Sequence, residues 1–116
     1  MKLVDHQQDF LQDFGKLIAF IYTIDGLSAT MGEAWRPPQM QEIYYNTGKS
    51  KTLDSQHGKR LAIDLNFFMF GKLLVSEADH KKYVTVVGDY WESLNPLNCW
   101  GGRWGWDYPH FERKEK

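Results

Sequence analysis

The run "LAIDLNFFMF", Leu61 to Phe70, does most to restrict what this chain can become. It is short and dense in strand-forming residues, and it reads as a central β-strand rather than a helix. Asp64 interrupts it between Ile63 and Leu65. An isolated charge inside an apolar strand is very costly, so Asp64 requires a strong partner. That partner has to be supplied by a distant part of the chain or by a bound cation.

With 116 residues, 42% of them apolar, the chain can bury its own core as one domain spanning residues 1–116. A formal charge of −1 gives no general attraction to nucleic acid or to anionic membranes. Cys99 is the only cysteine, which excludes an intramolecular disulfide and a thiolate metal cage. It is expected as a small, at least half-buried hydrophobe. The opening "MKLVDHQQDF" has charges and glutamines where a signal peptide needs an apolar core, and no apolar run approaches the ~20 residues of a membrane span. The expectation is a soluble monomer made in the cytoplasm, with no nucleic acid partner and no membrane insertion. Work outside the cytoplasm would need another exit route.

Phe10, Phe14, Leu17, Ile18 and Ile21 recur at helical spacing, predicting an amphipathic helix over about 5–23. "LSATMGEAWRPP" reads as extended. Pro37 and Pro38 then open a short helix with Met40, Ile43 and Tyr44 expected inward. "NTGKSKTLDSQ" reads as an exposed loop. After the central strand, "GK" predicts a hairpin turn into "LLVS". Tyr83, Val87, Tyr90, Trp91 and Leu94 predict a second amphipathic helix from Asp79, ended by Asn95-Pro96. "NCWGGRWGW" reads as a loop, "DYPHFE" as a last strand and "RKEK" as a frayed tail. This order gives an α+β fold with a small antiparallel sheet flanked by helices.

Of the four histidines, His6 and His80 are expected on exposed helix positions. His57 and His110 differ, because each has a carboxylate close in sequence: Asp64 after His57, Asp107 before His110. Two histidines and a carboxylate suit Zn²⁺ with one coordination position left open, and the cation would keep Asp64 ionised. Asp107 would then be free to act as a general base. Spacing alone leaves the alternative open, namely surface histidines and a hydrogen-bonded aspartate.

Ser55, His57 and Asp64, with Ala62 just ahead of the aspartate, form S-x-H-(x6)-D, and Asp107 with His110 forms D-x-x-H. Together they resemble the signature of bacterial cell-wall zinc peptidases. These are the D-alanyl-D-alanine carboxypeptidases and L-alanyl-D-glutamate endopeptidases, which share a fold with the Hedgehog signalling domain. The likeness runs from about Trp35 to Glu112 and is greatest to the phage and prophage endolysin-like branch. It implies that His57, Asp64 and His110 hold zinc and that Asp107 is the catalytic base. It also implies that Arg36, in "AWRPPQMQ", contacts the substrate's carbonyl or carboxylate, with Ser55 close by. Aspartate rather than glutamate at 107 leans toward the endopeptidase. The implied substrate is the peptidoglycan stem peptide.

One departure stands out. Many members have glycine three residues after the first zinc histidine, where this chain has Arg60. Trp100 and Trp104 are candidate walls of a substrate groove, with Gly101 and Gly102 leaving room for a peptide. The competing activities are D,D-carboxypeptidase and a non-catalytic zinc module of the same fold. Retention of Asp107 and Arg36 argues against the last, since a structural zinc site needs no base.

Overall fold

The structure is a computed structural model describing residues 1–115. In chain order its elements are α1 (Leu3–Ile21), β1 (Leu27–Met31), α2 (Pro38–Asn46), β2 (Ala62–Met69), β3 (Lys72–Leu73), α3 (Glu77–Tyr83), α4 (Thr85–Leu94), β4 (Asn98–Trp100) and β5 (His110–Arg113). Short 3-10 turns cover Gln56–Lys59 and Gly101–Trp104. The strands form an antiparallel sheet in the order β1-β2-β5-β4, with β3 also paired to β2. The fold is therefore α+β, as the order of elements predicts.

β2 is the central strand, and its alternation resolves the puzzle of Asp64. Ile63, Leu65 and Phe67 point to the core and are buried, whereas Asp64 and Asn66 point to the opposite face. Asp64 is thus on the outer face of the strand, with its side chain 28% exposed, not embedded among its apolar neighbours. The core face is covered by α1, through Phe10, Leu17 and Ile21, and by α4, through Val87 and Trp91. Phe10 and Phe14 both meet the Trp91 ring edge-on, which clamps the two helices together.

Two tryptophans pin the second half of the sheet. The Trp91 indole donates to the carbonyls of Cys99 and Glu112, tying α4 to β4 and β5. The Trp100 indole donates to the Tyr108 carbonyl at 2.8 Å, fixing the turn that precedes β5. Trp100 fits only because the residue beneath it is Gly88. A methyl group there would lie 2.2 Å from the Trp100 ring.

Several local expectations are corrected. The second amphipathic helix is broken at Val84 into α3 and α4; the β-branched run Val84-Thr85-Val86-Val87 disfavours continuous helix, and Val84 and Val87 are both buried. β4 and a 3-10 turn occupy "NCWGGRW", which the glycines disguise as a loop. The turn after β2 is made by Phe70 and Gly71, both left-handed, one residue earlier than Gly-Lys. In α2, Met40 and Ile43 face solvent and Tyr44 is half-buried, while the residue turned fully inward is Gln41.

His6 and His80 are buried rather than exposed. His6 Nδ1 accepts from Arg113 Nε at 3.1 Å, and His80 Nδ1 donates to the Ser76 carbonyl at 2.8 Å. Arg113 belongs to β5 and is almost fully buried, so the tail does not fray there; the backbone of Lys114 also bonds Leu97. Lys116 lies outside the described residues. Cys99 is half-buried and free, as expected.

Gly88→Ala is expected to destabilise the protein by ~1–3 kcal/mol, the usual cost of overpacking a filled core. Urea unfolding monitored by circular dichroism reads this directly. An unchanged midpoint would mean that Trp100 is not held against α4 as described.

Candidate metal centre and active site

The sheet register itself assembles the centre. Asp64 on β2 and His110 on β5 are direct cross-strand partners, and Ile63 and Phe111 are partners on the core face. The Asp64 carboxylate therefore meets the His110 imidazole at once, Oδ1 to Nδ1 being 3.1 Å. His57 arrives from the 3-10 turn before β2. Ser55 caps that turn, its Oγ accepting from the His57 amide at 3.2 Å. The turn lowers His57 onto the same face, with Nε2 3.3 Å from Asp64 Oδ1.

One ligand atom each from His57, Asp64 and His110 falls within 4.8 Å of the others. Two imidazole nitrogens and a carboxylate oxygen at this separation suit a single zinc ion. The far side of each ring is also fixed. His57 Nδ1 donates to the Ala34 carbonyl at 2.8 Å, which leaves Nε2 as the inward-facing lone pair. His110 Nε2 faces Glu112 Oε1 at 2.8 Å, which leaves Nδ1 inward. The residues fit the metal that their types imply.

Charges at the centre reinforce one another. Burial alone would raise the Asp64 carboxyl, but the hydrogen bond from His110, with the adjoining His57, outweighs it and holds the group far below the carboxylate range. Burial would lower the His110 imidazole, yet Asp64 and Glu112 bind it from both sides and push it up to about 9. Asp107 sits on the cleft side, its Oδ2 3.9 Å from His110 Nδ1. Burial raises its carboxyl, His110 pulls it down, and the nearby Asp64 adds to the rise; the net direction is upward. A raised carboxyl beside an ion site is suited to carrying a proton.

These groups open into a cleft of about 580 Å³ that also receives Arg36, Ser55 and Trp104. The three candidate ligands, Asp107, Arg36, Ser55 and Trp104 thus line one concavity. Arg36 is less free than expected. Its Nε and Nη2 both donate to Glu33 Oε1, and its Nη1 donates to Gln41 Oε1 at 2.8 Å and to Ser55 Oγ at 3.4 Å. Of the five guanidinium N–H groups, one on Nη2 is left uncommitted. The ring of Tyr44 lies under the guanidinium, 4.8 Å from its carbon. Gln41 turns inward on α2 because it serves this network, donating onward to Ser50.

The tryptophan expectation divides. Trp104 is 42% exposed and lines the cleft, its ring 5.3 Å from that of His110, but Trp100 is buried behind it. Gly101 and Gly102 do not make room for a peptide. A methyl group on Gly101 would lie 2.1 Å from the Asp107 carbonyl oxygen, and one on Gly102 would strike the Trp100 ring. The glycines let the 3-10 turn press against the Asp107–His110 turn, which sets the Asp107 carboxylate beside His110.

Arg60 is explained by its backbone. It is left-handed, φ 59°, a conformation that favours glycine, and it closes the 3-10 turn carrying His57. Its guanidinium stacks over the exposed Trp35 ring at 4.6 Å and does not line the cleft. Sequence reasoning missed Glu112, Glu33 and Gln41. Glu112 had a readable signal, since a residue two places beyond His110 on a strand shares its face. Its cross-strand partner is the small Ala62.

Comparison with known proteins agrees with this geometry. Residues 48–113 match the model of an M15 peptidase family described as D-alanyl-D-alanine carboxypeptidase. Among curated proteins, none matches the chain. The fold resembles the crystal structure of the Serratia marcescens L-Ala D-Glu endopeptidase ChiX, with a TM-score of 0.72 and 20% identity over 92% of this chain and 79% of that one. The family match extends over more than half of the sequence and takes in His57, Asp64, Asp107 and His110. On that evidence the chain belongs to the M15 peptidase family.

Proposed function

We propose that this chain is a zinc-dependent peptidoglycan peptidase that hydrolyses the L-alanyl–D-glutamate bond of the stem peptide. We place it with the endolysin-like enzymes of phages and prophages, acting as a monomer on the wall after release from the cytoplasm. One observation carries the reading. His57, Asp64 and His110 converge on one point while Asp107, which such a site does not need as a ligand, stands beside it facing the cleft.

When bound, zinc supplies Lewis-acid polarisation and acidifies water. The remaining work falls to the chain's own groups. Asp107 takes a proton from the attacking water and returns it to the leaving amine. The uncommitted N–H of Arg36, aimed by Glu33, donates to the carbonyl or carboxylate of the substrate, and the Ser55 hydroxyl lies next to it. Trp104 covers the cleft on the His110 side and excludes water. Lys49, Lys51 and Lys114 also line the cleft and make no ion pair among the described residues, which favours a substrate rich in carboxylates, as a stem peptide is.

The description of the matched family favours a second reading, removal of terminal D-alanine by the same centre. Mass analysis of digested muropeptides separates the two. Cleavage between L-alanine and D-glutamate is expected, and free D-alanine as the sole product would overturn the first reading. Among the described residues no helix is long and apolar enough to cross a membrane.

His57→Ala is expected to abolish zinc binding and hydrolysis together, as read by calorimetric titration and stem-peptide digestion. Asp107→Asn is expected to keep the metal while kcat falls ~10²–10⁴-fold, the usual worth of general acid–base help. Full activity of that variant would remove Asp107 from the mechanism.

Metal binding is also expected to release a proton. In the metal-free protein His110, raised to about 9, is charged at pH 7 and must lose a proton to bind an ion. Calorimetry in buffers of different ionisation heat should show about one proton released per zinc at pH 7.5, fading as pH rises past the His110 value. Its charged form contributes stability below the ordinary histidine range and loses it as pH climbs through about 9. Release that stayed constant up to pH 10 would contradict the assignment.

A further inference from the structure

Beside the main cleft lies a second cavity of about 500 Å³ that shares only Asp107 with the centre described above. Trp106 and Asp107 line both, so the two are joined across this adjacent pair of residues. The second cavity is walled by Val75, Glu77, His80 and Tyr108. Trp106 is 65% exposed, and its ring is tilted 36° to that of Trp104 at 6.2 Å. Standing between the two cavities, that ring offers an apolar face to a ligand held in either.

The polar groups around the ring are acceptors. His80 spends its Nδ1 hydrogen on the Ser76 carbonyl, which leaves Nε2 as an acceptor, and its ring is braced against Tyr108 at 5.8 Å. Glu77 Oε1 takes the Tyr108 hydroxyl at 3.0 Å and the Lys81 ammonium at 3.0 Å. Oε2 receives no donor among the described residues. An open indole beside a carboxylate and an imidazole acceptor suits a ligand with one apolar face and hydroxyls along its edge. A pyranose ring has that form: its C–H face stacks on an aromatic ring while its hydroxyls donate.

We infer that this second cavity is a saccharide subsite, in which Trp106 stacks against the amino sugar that carries the stem peptide. This rests on the L-alanyl–D-glutamate reading of the centre. With the scissile bond at Asp107, one alanine and the lactyl ether of the muramyl sugar separate that bond from the sugar ring. At ~3.5 Å for each of these two units the span is roughly 7 Å, which puts the sugar beside the centre, where Trp106 lines both cavities. The reading gives the site a preference for stem peptides still attached to glycan. Arg36 and Ser55 stand next to His57, where the carboxylates beyond the cut would go, and Lys49 and Lys51, which make no ion pair among the described residues, line the same cleft.

The test compares the zinc-loaded full chain on two defined substrates, a stem tetrapeptide and the same peptide on its N-acetylglucosaminyl–N-acetylmuramyl disaccharide. Wild type is expected to favour the glycan-linked form in kcat/KM by roughly 2- to 10-fold, the range of one aromatic contact. Trp106→Ala should erase that ratio, and Trp106→Phe should restore part of it. Equal rates on the two substrates in wild type, or a ratio that survives Trp106→Ala, would overturn the subsite. A companion titration follows tryptophan fluorescence on adding the disaccharide without peptide. Quenching that disappears in Trp106→Ala supports the subsite even if neither peptide is cut, and that failure would count against the endopeptidase reading alone. Absence of quenching in wild type would count against the subsite alone.

Discussion

The pairing of Asp64 with His110 across β2 and β5 is the interaction on which the rest of the centre depends. Antiparallel register brings directly opposed side chains together without any loop having to find its place. A slip of one residue would turn Asp64 toward the core and Ile63 toward the cleft, so the hydrophobic face of β2 and the chemistry of its other face enforce the same register. Burial of Ile63, Leu65 and Phe67 therefore holds Asp64 and His110 in place as well as stabilising the sheet.

Around that pair the structure builds outward in rigid steps. Ala34 and Glu112 set the ring orientation of the two histidines from behind. The Trp100 indole holds the Tyr108 carbonyl, and Gly101 lets a 3-10 turn press against Asp107, so the base is fixed by backbone packing rather than by its own hydrogen bonds. Glu33 and Gln41 hold Arg36 in place at the cost of most of its donors. The arginine thus enters the cleft as an aimed group with one remaining N–H, not as a free cation. The positive charge of the cleft that has no ion-pair partner among the described residues resides instead on Lys49, Lys51 and Lys114.

The central strand, α1, the last strand and the α+β class were legible because each rests on local periodicity. The cluster of His57, Asp64 and His110 was legible because the two motifs keep their residue types and spacing in a short chain. What was hidden depended on contacts between distant segments. His6 looks solvent-facing on α1 until Arg113, more than a hundred positions away, is seen to bond it. Gln41 looks like a surface residue until Arg36 gives it a partner. β4 is disguised by glycines that accommodate Trp100 and the Asp107–His110 turn, and the break at Val84 falls in a β-branched run whose apolar spacing still reads as one helix. Asp64 itself looked embedded in apolar sequence, and only the alternation of β2 shows that it never enters the core.

The central claim is that three side chains from two separated motifs hold one ion at a single point. Anomalous diffraction at the zinc edge from crystals of the zinc-loaded protein tests it most directly. One peak is expected, about 2.0–2.2 Å from His57 Nε2, Asp64 Oδ1 and His110 Nδ1 together. A peak bound by other residues, or none at these three with zinc in excess, would contradict the account.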